Sequence, residues 1–131
     1  AVQYPVGALT HTPHGLGVAT MLPYVMNYNF PAAAAEIAEV GAALGLSHQS
    51  GDHTDALAHA TIREVSRLFG AIGIPSTLAE LGLPKDKIDW TAEQALGIDR
   101  LIKNNPRPFD LAAMRRLVGA AYDGDMSATT M

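Results

Sequence analysis

Apolar positions recur at helical spacing along most of this chain. Between Leu16 and Met26 they crowd together, and Leu16, Val18, Met21, Leu22, Val25 and Met26 leave almost no polar face. Such a segment predicts a helix surrounded by protein. Pro23 has no amide hydrogen and predicts a kink within it. Pro31 suits the first turn of a second helix. There Ile37, Val40 and Leu44 recur at three and four residues, while Glu36 and Glu39 face outward or favour the N-terminal dipole. A polar break at Gly45–Gly51 precedes a third helix, capped by Asp52 and reaching Ile72. Its stripe is Leu57, Ile62, Val65, Leu68, Phe69 and Ile72, and Gly73 and Pro75 end it.

Thr77 and Glu80 match a capping box for a short helical turn over Thr77–Leu81, which Gly82 closes. Thr91 and Gln94 match a second box, for a helix that continues through Leu96, Leu101 and Ile102 to Asn105-Pro106. The last helix begins at Asp110, carries Leu111, Met114, Leu117, Val118 and Tyr122, and closes at Gly124. The tail beyond is expected to fray. No run alternates as a strand does, so the prediction is all-α: five main helices and one or two short ones in a single helical domain over residues 1–131.

Composition agrees. Twenty-two of the 131 residues are alanine and only 6% are aromatic, which favours closely packed helices over a β-sandwich. Nine basic against thirteen acidic residues give a net charge of −4, and no Lys or Arg precedes Arg63. The basic footprint of a nucleic-acid binder is missing. With no cysteine, disulfides, thiolate metal sites and thiol nucleophiles are excluded, and the chain suits a reducing, cytoplasmic setting. The uncharged run Thr12–Ala35 has a spanning segment's length, but Pro13, Pro23, Asn27, Asn29 and Pro31 argue for a buried helix instead. The start AVQYPVG has neither an initiator Met nor a basic signal-peptide region, which points to processing or to a piece of something longer.

Several residues carry candidate chemistry. His11 and His14 stand three apart around Pro13, so two imidazoles reach one metal if the segment is helical or tightly turned. With Pro13 opening a helix the rings point apart, and the spacing alone favours ordinary histidines. His48 and His53 fall in a polar loop and His59 in a helix, which assembles no site. Gly15-Leu16-Gly17 lacks the strand and third glycine of a dinucleotide fingerprint, so these glycines are expected to let the helix start pack closely. Asn104, Asn105 and Arg107 around Pro106 are expected to tie two helix ends together.

The stretch PVGALTHTPHGLGVATMLPYVMNYN resembles the second signature of the iron-containing alcohol dehydrogenases through His14, Gly15, Ala19, Leu22, Pro23, Val25 and Asn29. Gly73–Gly82 (GIPSTLAELG) and Asn104–Asp110 (NNPRPFD) resemble later elements of that family, in family order. The resemblance implies the helical C-terminal domain of the dehydroquinate synthase-like, iron-containing alcohol dehydrogenase architecture, following an α/β domain that binds NAD or NADP. It also implies Fe(II), or Zn, held by one aspartate and three histidines. His14 matches the last of those histidines, and the other ligands would lie ahead of Ala1. Tyr4 matches a position, often histidine, that faces the nicotinamide and substrate, where a tyrosine keeps a hydrogen-bonding hydroxyl. His11 matches no ligand.

The implied activity is metal-assisted hydride transfer between nicotinamide and a small alcohol, aldehyde or ketone, in a homo-oligomer, with the isolated piece inactive. Two other readings stand beside it. One is a stand-alone helical interaction or structural module without catalysis. The other is a relative of polyol or sugar-synthase type that keeps His14 for different substrates.

Overall fold

A computed structural model describes residues 1–46 and 54–130. Its helices are α1 (Gln3–Thr10), α2 (His14–Ala43), α3 (Thr54–Ala71), α4 (Ile88–Leu96), α5 (Asp99–Ile102) and α6 (Leu111–Asp123), with 3-10 turns at Lys85–Lys87 and Met126–Thr130. No strand occurs among the described residues, as the pattern predicts.

The axis of the fold is α2, 30 residues long. Its first half packs with α1, α4 and α6 around Val6, Tyr24, Leu78, Met114, Leu117 and Val118. Its second half packs on α3 through Ala33, Ile37, Ala38, Leu57, Ala58 and Ile62. Between the halves the backbone leaves helical geometry at Ala33 (φ −141°, ψ 24°). The bend therefore falls two residues after Pro31, and not at Pro23, which is buried in a run of helical backbone. Val40 and Leu44 are each 47% exposed, so beyond the bend only Ile37 of the predicted stripe is core. Small residues replace them: Gly41 lies against Thr61 so closely that a Cβ would stand 1.9 Å from the Thr61 hydroxyl oxygen.

In α3, Leu57, Ile62 and Val65 are buried, whereas Ile72 lies past the helix end and is 73% exposed. Gly73 turns the chain in the left-handed region. The predicted Asp52 cap, with His48 and His53, lies outside the described residues. Thr77–Leu81 forms turns, not a helix. Thr77 Oγ1 accepts from the Glu80 amide at 3.1 Å, while the Glu80 carboxylate accepts from Ser76. Leu78, wholly buried, is anchored by its amide to the Ala121 carbonyl at 2.9 Å.

The expected cap at Thr91 is not one. The helix starts earlier, at Ile88, after the turn that follows Pro84, and Thr91 lies inside it with its hydroxyl buried and unpartnered. The helix also stops at Leu96, and Ile102 belongs to the separate short α5. Asp110 does cap α6, accepting from the Ala113 amide at 2.7 Å, and Gly124 closes it at φ 76°. The tail is held rather than frayed: Asn27 Nδ2 donates to the Met126 carbonyl at 2.9 Å and to Thr129 Oγ1 at 2.7 Å.

Candidate metal- and cofactor-facing site

The site is built where α1 meets α2. The sequence pattern gave no sign of α1, since Pro5 and Gly7 are poor helix formers. Packing holds it. The Gln3 carboxamide is buried between Gly7 and Gly17, where a Cβ on Gly17 would stand 1.5 Å from Gln3 Oε1. Gln3 Nε2 donates to the Thr12 carbonyl at 3.3 Å. Of the paired glycines, Gly17 therefore permits a close approach as expected, while Gly15 has open space beside it.

His11 ends α1 in the left-handed conformation (φ 57°), its amide donating to the Gly7 carbonyl at 2.8 Å. Pro13 then sits extended at the N-cap of α2 and His14 is the first helical residue. The reversal brings Tyr4 to His14: ring centroids lie 5.7 Å apart with planes tilted by 54°. Both are exposed, Tyr4 to 48%. The guanidinium carbon of Arg100, on α5, stands 5.7 Å from the Tyr4 ring centroid.

Val18 and Leu22 follow His14 at one-turn spacing on α2 and share its face. With Val25, Leu101, Ile102 and Phe109 they line an apolar cavity of about 220 Å³ next to α1. The structure thus joins Tyr4 and His14, two residues selected from sequence, and adds Arg100; none of these three side chains lines the cavity. The sequence held no signal for Arg100, because α5 is a single turn reached through the break after Leu96.

His59 stacks on Phe30, with centroids 4.0 Å apart, and serves α2–α3 packing. Among the described residues no three histidines or carboxylates converge to hold a metal ion. The exposed His14 has the donor chemistry of a single metal-binding imidazole, and it joins no set of three such donors among the described residues.

Below the site, the Asn-Pro-Arg segment fixes the far end of the signature. Asn29 and Asn105 exchange reciprocal amide hydrogen bonds of 2.9 and 2.7 Å. Arg107 Nη1 donates to the Tyr28 carbonyl at 2.8 Å with its guanidinium 4.2 Å from the Tyr28 ring centroid. The Tyr28 hydroxyl donates to the Pro108 carbonyl, and its ring stacks on Phe109. Asn105 and Arg107 therefore tie helix ends as expected, while Asn104 bonds only within its own turn, to the Arg100 carbonyl. Burial raises the pKa of the Tyr24 and Tyr28 phenols; the Glu80 charge adds to the rise at Tyr24.

An all-helical domain with this element order, presenting an imidazole and a tyrosine ring on one exposed face, has the C-terminal architecture of the dehydroquinate synthase-like enzymes. The chain belongs to the Fe-containing alcohol dehydrogenase family, whose C-terminal domain matches residues 1–122. It is similar to Long-chain-alcohol dehydrogenase 1 of Geobacillus thermodenitrificans, 31% identical over 124 residues that cover 95% of this chain and 31% of that protein. It is also similar to the NADPH-dependent butanol dehydrogenase of Clostridium saccharobutylicum, 30% identical over 95% of this chain and 32% of that one. Among solved structures, 1,3-propanediol oxidoreductase superposes with a TM-score of 0.84 at 29% identity, over 92% of this chain and 31% of the other. The chain spans about a third of the length of the relatives it matches. No helix among the described residues is long and apolar enough to cross a membrane.

Proposed function

We propose that this chain is the metal-contributing helical part of an NAD(P)-dependent alcohol dehydrogenase, acting together with an α/β nucleotide-binding domain. The observation that carries the reading is the exposed His14 imidazole at the start of α2, set 5.7 Å from Tyr4 within the family match. A divalent ion, Fe(II) or Zn(II), supplies Lewis-acid polarisation of the substrate oxygen when bound. His14 offers one imidazole toward it, and the helix start fixes where that ring can point. Tyr4 offers a flat ring and a hydroxyl toward the nicotinamide and substrate. NAD or NADP is held mainly by the other domain.

The substrate is a small alcohol, aldehyde or ketone, and an apolar cavity lined by Val18 and Leu22, one and two turns along α2 from His14, is available to its alkyl part. The cysteine-free composition suits a cytoplasmic enzyme. The exposed Val18 and Leu22 favour a homo-oligomeric or domain-covered state. The test is oxidation of primary alcohols by the complete protein with NAD or NADP, followed through reduced nicotinamide. Turnover that falls by orders of magnitude in His14→Ala supports the reading. Equal turnover in that variant overturns it.

A further inference from the structure

Among the described residues, Arg100 is the charged side chain that stands over the Tyr4 ring, and nothing in the proposed hydride transfer uses it. Its guanidinium carbon lies within the roughly 6 Å over which an aromatic face attracts a cation. It makes no ion pair with a carboxylate among the described residues, although Arg115 and Arg67 both do. A planar guanidinium in this position presents its remaining donors to whatever occupies the exposed face, in the geometry that matches a carboxylate. The two 5.7 Å spacings put that guanidinium carbon at most about 11 Å from the His14 ring. Apolar side chains adjoin both in sequence: Leu101 and Ile102 follow Arg100 along α5, Val18 and Leu22 follow His14 along α2, and these four line one cavity.

We infer that Arg100 is a specificity-determining residue that gives the site a preference for hydroxy acids. In these substrates the alcohol meets the metal side at His14 and a carboxylate a few carbons away pairs with Arg100. The inference rests on the dehydrogenase reading above. In the oxidation the carbinol carbon gives a hydride to the nicotinamide and the hydroxyl releases a proton to solvent. The product is an aldehyde whose carboxylate has not reacted. Tyr4 acts here as a positioning residue, because its ring face fixes the guanidinium.

The test compares ω-hydroxyhexanoate with hexanol as substrates of the complete enzyme, and titrates hexanoate into the same protein by calorimetry. The expected result is a kcat/KM ratio favouring the hydroxy acid, reduced about ten- to a hundredfold in Arg100→Leu and partly restored in Arg100→Lys. Hexanoate affinity should weaken in parallel. A ratio unmoved by Arg100→Leu overturns the inference while leaving the dehydrogenase reading intact. So does a change confined to the KM of the dinucleotide, which would put the cofactor's phosphates on Arg100. Loss of folding with an unmoved ratio in the residual active protein assigns Arg100 a structural role and also overturns it. Absence of turnover with either substrate overturns the dehydrogenase reading. Hexanoate binding that still depends on Arg100 would then keep the carboxylate site alone.

Discussion

Replacing Gly41 by alanine should destabilise the fold although alanine is the better helix former. The added Cβ would stand 1.9 Å from Thr61 Oγ1 and 3.2 Å from Thr61 Cβ. Thr61 has nowhere to go, since its side chain is wholly buried and its hydroxyl donates to the Leu57 carbonyl at 2.7 Å. A stiff β-branched side chain at that site forces α2 and α3 apart, and overpacking of this kind costs about 1–3 kcal/mol. The exchange of glycine for alanine inside a helix returns about 1 kcal/mol. The net expectation is a loss of up to about 2 kcal/mol, read as a lower urea midpoint at unchanged slope. Two companions isolate the terms. Gly119→Ala, in a helix with open space beside it, measures the propensity gain alone and should stabilise. Thr61→Ala removes the obstructing hydroxyl, so Gly41→Ala made in that background should cost much less than in the parent. A Gly41→Ala chain as stable as the Gly119→Ala chain would refute the packing argument.

Three further outcomes follow from other contacts. Removing Asn29 or Asn105 alone should cost about 1–3 kcal/mol because each leaves a partner amide unpaired, and the double-mutant cycle should show a coupling of about 1 kcal/mol; independent, additive effects would contradict the pairing. Burial raises the Tyr24 and Tyr28 phenols in the folded chain, so their contribution is complete below the unfolded value of about 10 and is lost as pH rises through the folded values. Stability against urea should therefore decline on the alkaline side of that value, and Tyr24→Phe should lessen the decline; an unchanged alkaline limb in that variant would argue otherwise. The exposed Val18 and Leu22 should make this chain self-associate, and Leu22→Glu should reduce the mass seen by light scattering; a monomer at every concentration is the contrary result.

Much of the fold is legible in the sequence because helix stops and periodic stripes act locally. Asp110 and Gly124 bound the last helix through their own side chain and backbone, and Met114, Leu117 and Val118 are core as their spacing predicts. The failures share a cause: tertiary contacts override local preference. Helix α1 survives Pro5 and Gly7 because Gln3 is clamped against α2, and Thr91 is drawn into a helix that starts upstream of its capping signature. Pro23 tolerates the helix, and the bend moves to Ala33. At the site, His14 and Tyr4 were recognisable only through the family signature, since a histidine pair at His11 and His14 is the more conspicuous local pattern. The left-handed turn at His11 explains why Tyr4 is the ring that packs on His14. Arg100 was not legible, because its approach to Tyr4 depends on how α5 folds back after Gly97.

His14, on the function proposed above, is a metal ligand of an alcohol dehydrogenase. Elemental analysis of the complete protein, purified without chelator and compared with its His14→Ala variant, tests it most directly. Iron or zinc near one equivalent per chain is expected in the parent and a large loss in the variant, with unchanged helical content by circular dichroism. Full metal occupancy in His14→Ala would contradict it.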